Sequence, residues 1–170
     1  MNGEQCHDAW VTMLAEQVIQ DVTDIMAGIQ LTSSPCKADE DLSMVDLDRI
    51  CGIVNGDVRL YIQFFAEPSF FSRIAWKISG EIQEDPEVIR EYALEYANTI
   101  YGRFIAELFR ASGIRMHCNE LRYEEDTDPS CERAAQRVNF VRLLDPENEP
   151  IIFSWAAEDD IQTQMTGQEK

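Results

Sequence analysis

The stretch that decides the fold runs from Asp85 to Ser112 and reads DPEVIREYALEYANTIYGRFIAELFRAS. We predict that it forms one long amphipathic helix. Asp85 is a favourable N-cap, and Pro86 suits the first helical position, where its missing N–H would have no partner within the helix. Gly113 follows at the far end, as expected of a residue that turns the chain out of a helix. The other elements are predicted to pack around this helix.

Successive residues of an α-helix are turned by about 100°, so each side chain of the stretch can be assigned to a face. One broad face is apolar and is predicted to pack against the rest of the domain. Its members are Ala93, Leu94, Ala97, Ile100, Tyr101, Phe104 and Leu108. The opposite face is predicted to be exposed, and its members are Glu91, Glu95, Asn98, Thr99 and Gly102.

On the exposed face, Glu95 and Asn98 are three positions apart and are therefore neighbours along the helix axis. A carboxylate and a carboxamide are thus predicted to project together into solvent. Gly102 lies one turn beyond Asn98. A glycine inside a helix costs roughly 1 kcal/mol relative to alanine, so it usually has a packing or an access reason. Because Gly102 falls on the exposed face, we interpret it as leaving room for an approaching partner.

Length and charge limit the possible classes of protein. The chain has 170 residues, which predicts a single domain over residues 1–170 with its fold core at about 5–157. Residues 158–170 lack a hydrophobic pattern and are predicted to form a flexible tail. The net charge is −18, which argues against binding nucleic acid or an anionic membrane, because both need a basic surface.

Cysteine, histidine and hydropathy patterns narrow the classes further. The 5 cysteines are odd in number and scattered, which is typical of reduced cytosolic thiols and not of a disulfide framework or a zinc site. The 2 histidines are far apart and lack a nearby serine or cysteine motif, which disfavours a catalytic triad. No apolar run is long enough to span a membrane, and the opening MNGEQCHD lacks a signal-peptide pattern, so we expect a cytoplasmic protein.

Two helices and a hairpin are predicted before the central stretch. Glu4–Ala27 and Glu67–Ser79 carry apolar residues at three- and four-residue steps and are followed by Gly28 and Gly80. A strand is predicted to begin within residues 29–32, and residues 32–41 read as a polar loop. Residues 45–54 and 58–65 are strand-like and flank Asn55-Gly56, which predicts a hairpin turn at that dipeptide.

Three strands are predicted after the central stretch, at residues 114–123, 137–144 and 151–156. Residues 145–148, Asp-Pro-Glu-Asn, are predicted to form the turn between the last two, and residues 124–130 an acidic loop. The tryptophans Trp10, Trp76 and Trp155 are interpreted as packing residues. The elements together predict an α+β domain with an antiparallel or mixed sheet of about six strands, packed by long helices.

The sequence Glu95-Tyr-Ala-Asn98, followed by Gly102 on a helix of this kind, resembles the E-x-x-N helix of the CheC/CheX/FliY phosphatases. The single copy of the motif is most similar to CheX, and the order of elements agrees from about Val18 to Trp155. The resemblance implies a CheC/CheX-like fold and a cytoplasmic chemotaxis phosphatase that hydrolyses the phosphoaspartate of a CheY-like response-regulator receiver domain in two-component signalling. It also implies a homodimer formed through the sheets.

By the same resemblance, Asn98 is expected to orient the attacking water and Glu95 to pair with the receiver's lysine. Glu91, Thr99 and Gly102 are expected to contact the receiver. The protein would need no metal or cofactor of its own, because the receiver carries the Mg²⁺. Family members commonly have a proline in the strand segment after this helix, and residues 114–123, IRMHCNELRY, contain none.

Two other readings stay open. The first is a non-catalytic module of the same fold that binds a receiver or another two-component signalling protein and leaves its phosphoryl group intact. The second is an acidic α+β domain unrelated to signalling, because a glutamate and an asparagine on an exposed helix face are ordinary solubilising residues.

Overall fold

The computed structural model describes residues 3–34, 47–124 and 139–157. This part of the chain contains three helices and seven strands. The helices are α1 (Gly3–Ala27), α2 (Pro68–Ser79) and α3 (Pro86–Ser112). The strands are β1 (Thr32–Ser33), β2 (Asp48–Gly56), β3 (Leu60–Ala66), β4 (Met116–Cys118), β5 (Arg122–Glu124), β6 (Asn139–Leu144) and β7 (Pro150–Ala157).

The strands form one sheet in the order β1-β6-β7-β3-β2-β4, and β5 also pairs with β2. Every pairing between neighbouring strands is antiparallel. The predicted α+β class is therefore confirmed, with seven strands where about six were expected. Consecutive strands β2 and β3 are joined as a hairpin, and β7 returns to the other side of β3, so the middle of the sheet brings distant parts of the chain together.

The three helices pack on one face of this sheet, and aromatic side chains fill the space between the layers. Phe64 of β3 meets Tyr96 of α3 edge-on, with ring centroids 5.6 Å apart. Phe153 of β7 meets Phe104 of α3 in the same way at 5.3 Å. All four side chains are fully buried. Burying a large apolar side chain contributes about 1.5–3 kcal/mol, so these contacts hold α3 across the sheet and leave its opposite side outward.

The predicted helices agree with the observed ones to within one residue at each end. The predicted strands 137–144 and 151–156 correspond to β6 and β7, whereas the strand expected within residues 29–32 is only the two-residue β1. Most of the predicted loop 32–41, residues 125–130 of the acidic loop, and the predicted tail 158–170 lie outside the described residues.

The predicted hairpin is present, but its turn is not at Asn55-Gly56. Both residues belong to β2, and the chain reverses over residues 57–59. Gly56 pairs with Met116 of β4, and the backbone N–H of Asp57 donates to the Arg115 carbonyl at 2.9 Å. A Cβ atom at Gly56 would collide with the Arg115 backbone. The glycine is therefore explained by the close approach of β4, which a local turn rule does not consider.

The strand predicted over residues 114–123 is two strands, β4 and β5, that both pair with β2. Val54 pairs with Cys118, whereas Cys51 pairs with Arg122, so residues 119–121 contain one more residue than the facing part of β2. An extra residue of this kind makes a bulge and interrupts the ladder. Leu121 lies against Gly52 at this point, where a larger residue on β2 would meet its side chain.

The predicted turn after β6 is confirmed, and it is tied to α2. The Asp145 carboxylate accepts from the backbone N–H groups of Glu147 and Glu149, both at 2.9 Å. Arg73 of α2 pairs with Asp145 and, at 2.6 Å, with Glu149. Burial by itself lowers the pKa of Arg73, but these carboxylates outweigh it and leave the pKa above its ordinary value. The guanidinium thus links α2 to the end of the sheet.

One of the three tryptophans does not have its predicted role. Trp155 is buried in the core, and Trp10 is partly buried against it. Trp76 is 42% exposed on the outer side of α2, and the Lys77 ammonium lies over its ring at 4.6 Å. The prediction that Trp76 is a packing residue is therefore wrong, because α2 turns this position away from the sheet.

Candidate functional site

Both ends of α3, the helix that carries the candidate site, are closed as the sequence predicts. The Asp85 side chain accepts a hydrogen bond from the Glu87 backbone N–H at 3.0 Å, and Pro86 occupies the first turn. Gly113 adopts the left-handed conformation with φ 74°, and its N–H donates to the Phe109 carbonyl at 2.8 Å. A helix capped at both ends presents its side chains from a rigid support.

Two buried tyrosines fix the rotation of α3 about its axis. The Tyr101 hydroxyl donates to the Ile50 carbonyl of β2 at 2.6 Å. The Tyr96 hydroxyl lies 2.6 Å from Thr23 Oγ1 of α1, and Thr23 Oγ1 also donates to the Ile19 carbonyl at 2.6 Å. Since a threonine hydroxyl has one proton, Tyr96 is the donor in the first of these bonds. Tyr101 was predicted to lie on the buried face, whereas Tyr96 had no predicted face.

With the inner side of α3 held in this way, the five predicted site residues face outward. Glu91, Glu95, Asn98, Thr99 and Gly102 are all exposed. Glu95 and Asn98 thus stand on neighbouring turns of the free side, with Tyr96 and Ala97 between them buried. The Thr99 hydroxyl donates to the Glu95 carbonyl at 3.0 Å, so its proton is used within the helix.

Within the part of the chain that the structure describes, Gly102 has no packing reason. A Cβ atom built on Gly102 meets no atom of the described residues within 4 Å beyond its own helix. An alanine would therefore fit the folded chain and would be the better helix former by roughly 1 kcal/mol. This observation supports the access interpretation over the packing interpretation.

Helix α1 lies alongside the candidate site. Asp21 of α1 forms an ion pair with Arg103 of α3 at 3.2 Å, and both side chains are partly exposed. This pair stands next to Gly102 on the flank of α3, whereas the Thr23–Tyr96 bond joins the same helices below the surface. The Asp21–Arg103 pair was not predicted, because its members are 82 residues apart and no local pattern connects them.

The chemistry available at this surface is that of a carboxylate and a carboxamide on a fixed helix. The Asn98 amide has an oxygen that accepts and an NH₂ group that donates, so it can hold a water molecule in a chosen direction without changing its protonation state. Glu95 can pair with a cation.

Within residues 3–34, 47–124 and 139–157, no group of three or more His, Cys, Asp or Glu side chains is arranged to hold a metal ion. None of the helices in those ranges is both long enough and apolar enough to cross a membrane.

Comparison with known proteins finds likeness in structure and not in sequence. No protein-family model matches the chain, and no curated protein matches it. Among solved structures, the chemotaxis protein CheX from Desulfovibrio desulfuricans superposes with a TM-score of 0.68 at 14% identity, covering 87% of this chain and 99% of that one. CheX in a CheX–CheY–BeF3–Mg complex from Borrelia burgdorferi has a TM-score of 0.65 at 15% identity, covering 85% and 96%.

The likeness in structure extends to FliY. FliY from Thermotoga maritima has a TM-score of 0.64 at 11% identity, covering 98% of this chain and 96% of that one. The resemblance inferred from the E-x-x-N helix is therefore confirmed at the level of the fold.

Proposed function

From the premise that this chain has the fold of CheX, CheC-like and FliY proteins, we propose that it hydrolyses the phosphoaspartate of a CheY-like receiver domain. One observation carries the proposal. Glu95 and Asn98 stand together on the exposed side of a helix that is capped at both ends and fixed in rotation by buried tyrosines. A CheX of the same fold occurs in complex with CheY, BeF3 and Mg²⁺, which supports a CheY-like receiver as the partner.

The proposed mechanism divides the work between the two proteins. A phosphoaspartate is an acyl phosphate, and its hydrolysis needs in-line attack by water with the developing charge neutralised. In this proposal the receiver supplies the Mg²⁺ and a lysine, and this chain positions the attacking water and the lysine. The Asn98 carboxamide orients the attacking water, and Glu95 pairs with the receiver's lysine. Glu91, Thr99 and Gly102 would contact the receiver around them.

A second candidate function is a non-catalytic module that binds the same receiver. The segment after α3 favours it, because residues 114–123 lack the proline that the resemblance leads one to expect and are broken into β4 and β5. A different surface beside the helix would allow docking and yet misplace the water. Positioning is demanding, since an error of about 1 Å can cost about 100-fold in rate.

The experiment compares loss of phosphate from a panel of phosphorylated receiver domains of the source organism, with and without this protein. We expect accelerated decay for at least one receiver. Asn98→Ala should lower the maximal rate about 100-fold, because the water loses its orientation. Glu95→Ala should raise the receiver concentration needed for half-maximal rate about tenfold, because a charge-assisted contact is lost. Gln30→Ala and Glu84→Ala, which remove an exposed carboxamide and an exposed carboxylate outside α3, serve as controls.

The two candidate functions give different outcomes in a parallel binding measurement. Receivers loaded with beryllofluoride and Mg²⁺ mimic the phosphorylated state and report binding without turnover. Acceleration together with binding supports the phosphatase, and binding without acceleration supports the module. If no receiver binds and none loses phosphate faster, both proposals are wrong.

The proposal extends to oligomeric state through the same family resemblance. A homodimer that joins two sheets is the arrangement expected. Sedimentation equilibrium over a range of protein concentrations tests it, and a monomer at every concentration would contradict it.

A further inference from the structure

The exposed side of α3 continues beyond Asn98 as a shallow apolar strip that the proposed reaction does not use. We define the α3 strip as Gly102, Ala106 and Phe109. Gly102 and Ala106 are exposed but carry little or no side chain. Phe109 is 49% exposed and is the large side chain at the end of the strip.

Helix geometry places the strip in line with Asn98. Phe109 follows Asn98 by 11 residues, which at about 100° per residue returns it to within about 20° of the same direction. At about 1.5 Å per residue, the two side chains are separated by about 16 Å along the axis. Between them, the exposed positions Gly102 and Ala106 carry little or no side chain, so the surface there is low. A partner whose surface meets Asn98 can therefore lie along the strip and reach Phe109.

The strip is also uncharged, which is unusual on the surface of this chain. The sequence has 32 acidic and 14 basic residues. Three charged side chains of α3 neighbour the strip residues in sequence, and each is paired: Arg103 with Asp21 at 3.2 Å, and Glu107 with Arg110 at 2.5 Å. An approaching domain that carries a phosphoryl group would meet strong repulsion from unpaired carboxylates, and the strip presents none.

Phe109 is the one large apolar side chain of α3 that is exposed among the described residues. The other large apolar side chains that are exposed in this part of the chain are Met13 and Ile25 on α1, Trp76 on α2 and Ile82 before α3. Aromatic side chains, phenylalanine included, are enriched in protein interfaces relative to the rest of the surface. Within the fold, Phe109 contributes a cap through its backbone carbonyl, which leaves its half-exposed ring available.

We propose that the α3 strip is a docking surface for the receiver domain, with Phe109 as its apolar anchor. This inference rests on the proposed function, because the occupant is the receiver that presents its phosphoaspartate at Asn98. Continuity of the strip with Asn98 on one rigid helix, and its lack of charge, favour that occupant. The anchor acts in binding, so it determines which receivers dock and how tightly, whereas Asn98 determines the rate once they are docked.

The test measures the affinity of the full chain for a beryllofluoride- and Mg²⁺-loaded receiver, chosen as one that the wild-type protein binds. Phe109→Ser should weaken binding about tenfold, because an aromatic anchor is lost. Ala106→Gln should weaken it by a similar factor, because the longer side chain blocks the floor of the strip. Trp76→Ser is the matched control for the phenylalanine, since it changes an exposed aromatic on α2, and it should bind as the wild type does.

Turnover gives a second readout that a general loss of folding would not produce. Phe109→Ser should raise the receiver concentration for half-maximal dephosphorylation and leave the maximal rate unchanged, the opposite of the pattern expected for Asn98→Ala. Urea unfolding of each variant accompanies the measurement. Ala106→Gln lies at an exposed helical position, so it tests the surface even if the phenylalanine variant is less stable.

Each outcome decides the matter. If the wild type binds and the strip variants bind equally well, the docking surface is wrong and the proposed function stands. If Trp76→Ser weakens binding as much as Phe109→Ser, the specific role of the strip is wrong. If the strip variants change the oligomeric state and leave receiver binding intact, the strip is a contact between copies of this chain. If the wild type binds no receiver, the proposed function is wrong, and the docking surface, which rests on it, is wrong with it.

Discussion

At the level of single residues, the bond between Tyr96 and Thr23 explains why the candidate site faces solvent. Tyr96 and Ala97 lie between Glu95 and Asn98 in sequence and are buried, so the same four residues make both the anchor and the exposed pair. The phenol finds its acceptor on α1, 73 residues away. Since burying an unpaired hydroxyl is costly, the direction in which Tyr96 points is strongly determined, and with it the direction of Glu95 and Asn98.

The first prediction uses the assignment of donor and acceptor in this bond. Tyr96→Phe should cost about 1 kcal/mol of stability, because Thr23 keeps its bond to the Ile19 carbonyl. Thr23→Val should cost more, about 1–3 kcal/mol, because it leaves the Tyr96 hydroxyl unpaired in the core. Urea unfolding of the two variants measures the difference. Equal costs, or a larger cost for Tyr96→Phe, would mean that the assignment is reversed.

The second prediction concerns stability at alkaline pH. Burial raises the pKa of Tyr96 and of Tyr101 above the ordinary phenol value of 10. Above that pH the unfolded chain releases protons that the folded chain keeps, so stability is unaffected below about pH 10 and falls as the pH rises further. Each phenol should contribute a slope of up to about 1.4 kcal/mol per pH unit.

Urea midpoints measured from about pH 8 to about pH 11 give this slope. Tyr96→Phe should remove roughly half of the pH-dependent loss of stability that the two tyrosines contribute. If the stability of Tyr96→Phe falls with rising pH as steeply as that of the wild type, other groups cause the loss of stability.

At the level of elements, α3 combines a regular support with one residue that weakens it. The helix has 27 residues, so it is about 40 Å long, and both ends are capped. Gly102 is the only glycine within it and stands one turn from Asn98. No described atom outside the helix occupies the space of its missing Cβ. Packing within the described residues therefore does not offset the lower helix propensity of this glycine.

The third prediction is that Gly102→Ala separates stability from activity. The variant should be more stable by about 1 kcal/mol, because alanine is the better helix former and meets no clash. It should also need more receiver for half-maximal dephosphorylation, because a methyl group occupies space that a partner would use. Unfolding and turnover measured on the same preparation check both parts. Ala106→Gly, the reverse change one turn further along, should lose about the same stability.

A stabilised Gly102→Ala protein with unchanged turnover would contradict the access interpretation. An unchanged stability would instead mean that the helix is strained at this point in a way that its contacts do not reveal.

The elements that could be predicted are those with a local cause. The caps at Asp85 and Gly113 and the apolar repeat between them fix α3 without reference to the rest of the chain. The Asn55-Gly56 dipeptide gave the hairpin but not its turn, because the need for Gly56 comes from the backbone of β4. The break between β4 and β5 depends on pairing with β2, so no property of residues 114–123 alone predicts it.

At the level of the whole molecule, the sequence predicted the fold class, all three helices and the outward direction of the candidate site. Glu95 and Asn98 were found because helical periodicity assigns an exposed face. The neighbours that α1 contributes were not found, because Asp21 and Arg103 meet only after the chain has folded. Phe109 lay within the central stretch and had no assigned face, although its spacing of 11 residues from Asn98 was a usable signal.

The last prediction follows from the net charge of −18, which belongs to the molecule and to no single site. Salt weakens surface ion pairs such as Arg90–Glu87 and Arg110–Glu107, each worth only about 0.2–0.5 kcal/mol. It also screens repulsion among 32 acidic residues that face 14 basic ones. Because the excess of acidic residues outnumbers such pairs, repulsion should dominate.

Raising the ionic strength from about 0.01 M to about 1 M shortens the Debye length from about 30 Å to about 3 Å, and the urea midpoint should rise as a consequence. Sodium chloride is a suitable salt because sulfate also strengthens apolar burial, and a neutral osmolyte at equal osmolality controls for the remaining solvent effect. A midpoint that falls with sodium chloride would mean that local ion pairs outweigh the net charge, and that the acidic residues are arranged so that their repulsion is already small.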